Sequence, residues 1–328
     1  MNKKNLIICT SSYNNYEMLE KEVFNNINLE GFEFINVDDK STESEIKYGK
    51  LICKKRNIIF LENKKKGVQH AVDTIVNFIL HNRPKCKWIV LFQHDNYPLT
   101  KQFFNRLSHL IDKGIPDDIS ALGFNHLDRG EYTYNALNRY KKGKNPIGIL
   151  GKCHLSIKHQ KKRWAAPRPN FFFTELPFFR DYLKKFKKPF SIEIPLESAV
   201  ALRVSDWVKH IKPTSEYHFH LWLPDVMMQF LSKNKHCVIL PKMYCMNDQY
   251  MKEKYGINKC SAAGAKNGEV QHFGEYSNFE AWRDRWGWDY TTLEGFSEKK
   301  YKNTLINEFY NFDLIKSKKP LKIFDLEY

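Results

Sequence analysis

Three short polar clusters carry the side chains best suited to chemistry: Ser11–Asn14 in TSSYNN, Asp38–Asp39 in NVDDKS and Gln93–Asn96 in FQHDNY. Each closes an apolar run. A carboxylate in such a place can accept a hydrogen bond, hold a hard cation such as Mg²⁺ or Mn²⁺, or take up a proton. Asp225 follows Pro224 at the head of a further apolar stretch, and Glu197 precedes a short one. His272 stands in VQHFGEYS, His218 and His220 alternate in YHFH, and Lys64–Lys66 run up to Gly67. Each has a plainer reading. Asp38–Asp39 fits a turn or cap before Ser41, Asp225 fits a first helical turn, a lone histidine fits a structural role, and the lysines fit a solvated turn. Gly31, Gly67 and Gly123 form neither a Walker loop nor a GxGxxG fingerprint, which argues against P-loop and dinucleotide chemistry.

The elements that must position these groups alternate. Strands are expected at Asn5–Cys9, Phe32–Val37, Ile58–Leu61, Trp88–Phe92 and Ile119–Phe124. Helices are expected at Tyr16–Asn28, Val68–Leu80 and Leu99–Ile111, the second on Val68, Ala71, Val72, Ile75, Val76 and Ile79 at helical spacing. Such alternation predicts a mostly parallel sheet with helices on both faces, and ligands there sit beyond the carboxyl ends of the strands. All three polar clusters fall at those ends. Further on, the pattern predicts a strand at Ser198–Val204, a helix at Ser205–Ile211 capped by Ser205, a helix at Pro224–Leu231 and a strand at Cys237–Leu240. Cys245–Gly274 reads as loops, Ala281–Trp288 as a packed tryptophan cluster and Tyr301–Leu314 as helical.

Charge is concentrated. Of a formal net +16, the 50 residues from Lys141 to Phe190 hold net +12, with 14 Lys plus Arg against Glu175 and Asp181. Nine aromatics share that stretch, and Glu175–Phe186 suits an amphipathic helix. A field of this kind fits a polyanionic partner: nucleic acid, an anionic membrane surface or a phosphorylated glycan. A solvated basic face is the plainer alternative. The seven cysteines are odd in number with no CxxC pair, which fits reduced thiols better than a disulfide or zinc framework. No apolar run reaches the length of a membrane span, and the first residues read as a strand rather than a signal peptide. The expected location is cytoplasmic, with association at the inner membrane surface or with DNA.

Taken in order, IICTSSYNN, FINVDDKST, KKKGVQHAVD and WIVLFQHDNYP resemble the inverting family-two GT-A glycosyltransferases over residues 5–100, with a weaker likeness from Ser198 to Leu240. In that family the second strand ends in Val-Asp-Asp-x-Ser and a later one in an Asp-x-Asp metal motif. The resemblance implies a GT-A (Rossmann-like) α/β fold, a mostly parallel sheet flanked by helices, with a basic aromatic insertion and a helical and loop C-terminal region. It implies a nucleotide-sugar-binding half over 1–127, the insertion on the acceptor side over 128–190, an acceptor and catalytic-base half over 191–245 and an extension over 246–328. Asp39 would accept the imide hydrogen of uracil or a related base, and Ser11 and Tyr13 would contact base or ribose. Asp95 aligns with the last acid of Asp-x-Asp and would bind Mn²⁺ or Mg²⁺, whereas Gln93 replaces the first acid and His94 would line the ribose pocket. His272 would be a further metal ligand. Asp225, with Glu197 in reserve, would be the general base. The function implied is metal-dependent transfer of a sugar from a nucleotide-sugar, UDP-linked, to a polyanionic acceptor, a glycan or glycolipid at a membrane surface. A hydroxymethylated base in DNA is the second acceptor class, and a non-enzymatic nucleic-acid-binding protein is the competing reading.

Overall fold

The computed structural model describes residues 3–129, 149–154, 171–174, 187–192, 195, 197, 199–217, 221–248, 255, 273–287 and 324–328. The first half alternates as expected. Strand β1 (Leu6–Ser12) leads into α1 (Tyr16–Met18), which continues through a π-helical turn (Leu19–Val23) into α2 (Phe24–Asn26). Then follow β2 (Phe34–Asp38), α3 (Glu43–Lys55), β3 (Ile59–Glu62), α4 (Val68–Asn82), β4 (Trp88–Gln93), β5 (Asn96–Pro98), α5 (Phe103–Lys113) and β6 (Ile119–Arg129). Beyond these lie β7 (Ile149–His154), β8 (Phe171–Thr174), β9 (Phe190–Ile192), β10 (Ala199–Arg203), α6 (Val204–His210), α7 (Trp222–Leu231), β11 (His236–Asp248) and α8 (Phe273–Trp286).

Among the described residues one sheet of eleven strands forms, with the main order β3-β2-β1-β4-β10-β6-β11-β5. Neighbours β3-β2-β1-β4 are parallel, and so are β6 and β11. Strand β10 runs antiparallel to both β4 and β6 and joins the two parallel groups. Along this main order the fold is therefore the mixed, mostly parallel α/β sheet flanked by helices that the alternation predicts. The reason its strands read as continuous apolar runs is visible in the core. Ile7, Cys9, Ile89 and Leu91 point to the face covered by α4, α6, α7 and α8. Their neighbours Leu6, Ile8, Trp88, Val90 and Phe92 point to the face covered by α5 and the first helices. Both faces of β1 and β4 are dry, so polar alternation is absent there.

Several expectations are corrected. The helix expected from Leu99 begins at Phe103, because Asn96–Pro98 pairs with β11 as a strand. Long-range pairing of this kind leaves no local pattern. Strand β11 runs through Cys245 to Asp248 alongside β6, where loops were expected from Cys245. Helix α6 has Arg203, not Ser205, at its cap position, with no side-chain cap bond. Helix α7 starts at Trp222, two residues earlier than expected. The stretches Glu175–Phe186 and Tyr301–Leu314 lie outside the described residues. Cys9, Cys53, Cys86, Cys237 and Cys245 are buried and unpaired, and burial pushes the Cys53 and Cys86 thiols up to about 12, which makes them poor nucleophiles. Among the described residues no helix is long and apolar enough to cross a membrane.

Candidate functional site

Register places the polar clusters side by side. Ser12 pairs with Asp38 across β1 and β2, and Ser11 pairs with Gln93 across β1 and β4. The chain then leaves the three strand ends together. Ser11, Tyr13, Asp39, Gln93 and His94 line one open cleft, with Val68, Leu91 and Phe92 as apolar wall. Five expected binding residues thus share one cleft. The sixth, Asp95, is buried in the turn that carries the chain from the end of β4 to β5.

Asp38 and Asp39 divide two jobs between them. The Asp38 carboxylate accepts the Tyr16 hydroxyl at 2.9 Å and the Ser41 backbone N–H at 3.0 Å, so it caps the loop after β2. Asn36 and Ser12 extend that network, with the Ser12 hydroxyl 2.6 Å from the Asn36 amide oxygen. Asp39 turns the other way. Its Oδ1 accepts the Asn63 amide at 2.8 Å and the Gly67 N–H at 2.9 Å, and its Oδ2 takes only a longer share of the same N–H, 3.1 Å. Burial pushes the Asp39 carboxyl above its ordinary range, opposed by the Gly67 N–H, the Asn63 amide and the charge of Lys66. Gly67 sits at φ +120°, ψ 148°, a region closed to side-chain-bearing residues, and it begins α4. The carboxylate therefore meets the positive end of a 15-residue helix, which favours its charged form. At the cleft mouth the Lys66 ammonium lies 4.4 Å from the Tyr13 ring centroid.

Asp95 presents a different donor set. Its Oδ1 accepts the Asn96 amide at 2.6 Å, and the Asn96 Oδ1 is buried with no hydrogen-bond partner. A carboxylate and an amide oxygen in one turn are hard donors of the type Mg²⁺ and Mn²⁺ take. Among the described residues no three His, Cys, Asp or Glu side chains converge into a metal-binding group. His272, expected as a ligand, lies outside the described residues, as do His218 and His220.

Asp225 does not line the cleft. Its side chain is wholly buried, and four donors surround its carboxylate. Oδ2 accepts Gln69 and Gln229, each at 2.9 Å, and Oδ1 accepts the Trp286 indole N–H at 2.8 Å and the Arg285 Nε at 2.9 Å. Burial pushes this carboxyl up, opposed by Arg285 and the three hydrogen bonds. Glu197 is half-buried in the turn before β10. Gln69, Asn63, Arg285 and Trp286 are the site neighbours that sequence reasoning missed. Gln69 had a legible signal, a polar residue beside the apolar stripe of α4 that emerges fully buried.

No protein-family model matches the chain, and no curated protein sequence does. Among solved structures it is similar to the mannosyltransferase PcManGT from Pyrobaculum calidifontis in complex with GDP-Man and Mn²⁺, at 11% identity and TM-score 0.44 over 74% of this chain and 56% of that one. It is similar to GalNAc-T7 with UDP, GalNAc and Mn²⁺, at 8% identity and TM-score 0.48 over 74% and 43%. It is also similar to S. aureus TarS 1-349 in complex with UDP-GlcNAc, at 12% identity and TM-score 0.40 over 74% and 58%. The chain thus spans about half the length of the solved structures it matches.

Proposed function

We propose that this chain is a metal-dependent glycosyltransferase of the GT-A type, moving a sugar from a nucleoside-diphosphate sugar to an acceptor hydroxyl with inversion. One observation carries the reading: Ser11, Tyr13, Asp39, Gln93 and His94 share a single cleft at the strand ends, with Asp95 buried beside it. The less committed Oδ2 of Asp39 is the acceptor for the imide N–H of a uracil-type base, and the Tyr13 ring offers the base a face. Asp95 and the Asn96 amide oxygen would hold the metal, Mn²⁺ or Mg²⁺, which would take its remaining ligands from the donor diphosphate and water. Once bound, that metal supplies Lewis-acid neutralisation of the diphosphate leaving group. Asp225 is the proposed general base. Both of its oxygens are held, Oδ2 by Gln69 and Gln229 and Oδ1 by Trp286 and Arg285 of α8, so the acceptor hydroxyl reaches it when one of these donors gives way. Its raised proton affinity suits that task. The net +12 between Lys141 and Phe190 favours a polyanionic glycan or glycolipid acceptor, and DNA with hydroxymethylated bases has the same charge.

The test is nucleoside-diphosphate release from a panel of nucleotide-sugars with Mn²⁺, with and without hydroxymethylated DNA and with and without anionic glycolipid. Release from one donor, stimulated by glycolipid, is the expected result, and stimulation by DNA alone moves the acceptor to that class. No release from any donor, together with retained DNA binding, overturns the reading in favour of a non-enzymatic nucleic-acid-binding protein.

A further inference from the structure

One helical turn lies between the two carboxylates of the site. The N-terminal residue of that turn, Gly67, donates its N–H to Asp39 on the cleft. Two residues later, Gln69 donates to Asp225 Oδ2 at 2.9 Å and to the Trp222 carbonyl at 3.0 Å. Its amide oxygen accepts the Thr214 N–H, also at 2.9 Å, so every hydrogen-bonding position of this buried side chain bears on α7 or on the loop before it. From Asp225 the connection continues to α8. Trp286 and Arg285 reach Oδ1 there, and Trp282 and Trp286 are buried against the same core. Asp39, Gly67, Gln69, Asp225 and α8 thus form an unbroken series of short, buried contacts.

We infer that Gln69 is a positioning residue that couples occupancy of the donor cleft to the seating of α8 on Asp225. This rests on the donor-site reading above. A ligand that fixes Asp39 fixes Gly67 and the first turn of α4. That turn holds the Gln69 amide, and with it the Asp225 carboxylate, in the one geometry that accepts both α8 donors. By linkage, loosening α8 weakens donor binding by the same factor by which the donor tightens α8. Gln229 provides the contrast. It also donates to Asp225 Oδ2, but its own oxygen accepts the Lys212 N–H and it makes no hydrogen bond to the first turn of α4.

The experiment measures amide hydrogen exchange across residues 273–287 with and without UDP and Mn²⁺, alongside calorimetric titration of UDP. In the wild-type chain UDP should slow exchange in α8 by about fivefold or more, the lower end of ordinary coupling. Gln69→Leu should still bind UDP but lose the slowing. Gln229→Leu should exchange faster in both states and keep it. Trp286→Phe, which removes the indole N–H along with part of the ring, should weaken UDP binding by the factor lost from the slowing, and it serves if Gln69→Leu does not fold. Wild-type protein that binds UDP with unchanged α8 exchange, or a slowing that survives in Gln69→Leu, overturns the coupling and leaves the donor site standing. Absence of UDP binding in the wild-type chain removes the donor site itself, and the coupling with it.

Discussion

Asp39, Asp95 and Asp225 are all buried, yet their surroundings suit them to different work. Asp39 has one oxygen committed to two donors and the other only lightly held. Asp95 accepts the neighbouring Asn96 amide, and beside it stands an amide oxygen without a partner. Asp225 is saturated by four donors, two from each side. Asp95→Ala should therefore remove the Mn²⁺-dependent part of UDP affinity, a loss of at least about 10–100-fold, the range seen for groups one shell further from a metal. Titration of UDP with and without Mn²⁺ checks this, and an unchanged metal response takes Asp95 out of the metal site. Asp225→Asn should cut sugar transfer by about 10²–10⁴-fold, the contribution of a general base, while UDP affinity changes far less. Transfer that survives the substitution places the base elsewhere.

At the scale of elements, the cleft depends on how closely the helices approach the strand ends. Helix α3 passes Tyr16 with Gly49 at the contact, and a β-carbon there would stand 2.7 Å from the Tyr16 ring and 2.9 Å from Phe60. Tyr16 in turn supplies the hydroxyl that holds Asp38. Gly49→Ala should destabilise the protein by about 1–3 kcal/mol through overpacking, read as a lowered denaturation midpoint with unchanged slope. An unchanged midpoint would mean that α3 is free to move outward. The same scale explains what could be read beforehand. Asp39, Gln93 and Asp95 were legible because each follows an apolar run whose end is marked in the sequence itself. The parallel half of the sheet was legible because runs such as Trp88–Phe92 are buried on both faces. The strand Asn96–Pro98 was not, since its partner Cys245–Asn247 lies far along the chain. Nor was the crowding of Asp225, because Gln69, Arg285 and Trp286 come from two distant helices and no spacing links them.

At the scale of the whole molecule, residues 324–328 fasten separate parts of the sheet together. The Phe324 N–H donates to the Pro189 carbonyl at 2.9 Å, beside β9, and its ring is buried in the core. Tyr328 receives Arg106 of α5 at its carbonyl and the Lys242 N–H of β11 at its hydroxyl. The ion pairs Lys188–Asp325 and Lys113–Glu327 are largely exposed and add little. Phe324→Ala should cost about 3 kcal/mol, whereas Asp325→Ala should be near neutral. Chemical denaturation of the two variants checks the difference, and equal effects would shift the weight from burial to charge.

The position of β10 has a consequence for the order in which the molecule is made. It lies between β4 and β6 and pairs with both, yet it is translated after each of them is complete. A growing chain therefore carries β4 and β6 complete, each with an inner edge that has nothing to pair with, the kind of bare edge that recruits other chains. Residues 130–198 must all leave the ribosome before Ala199–Arg203 arrive and close both edges in one step.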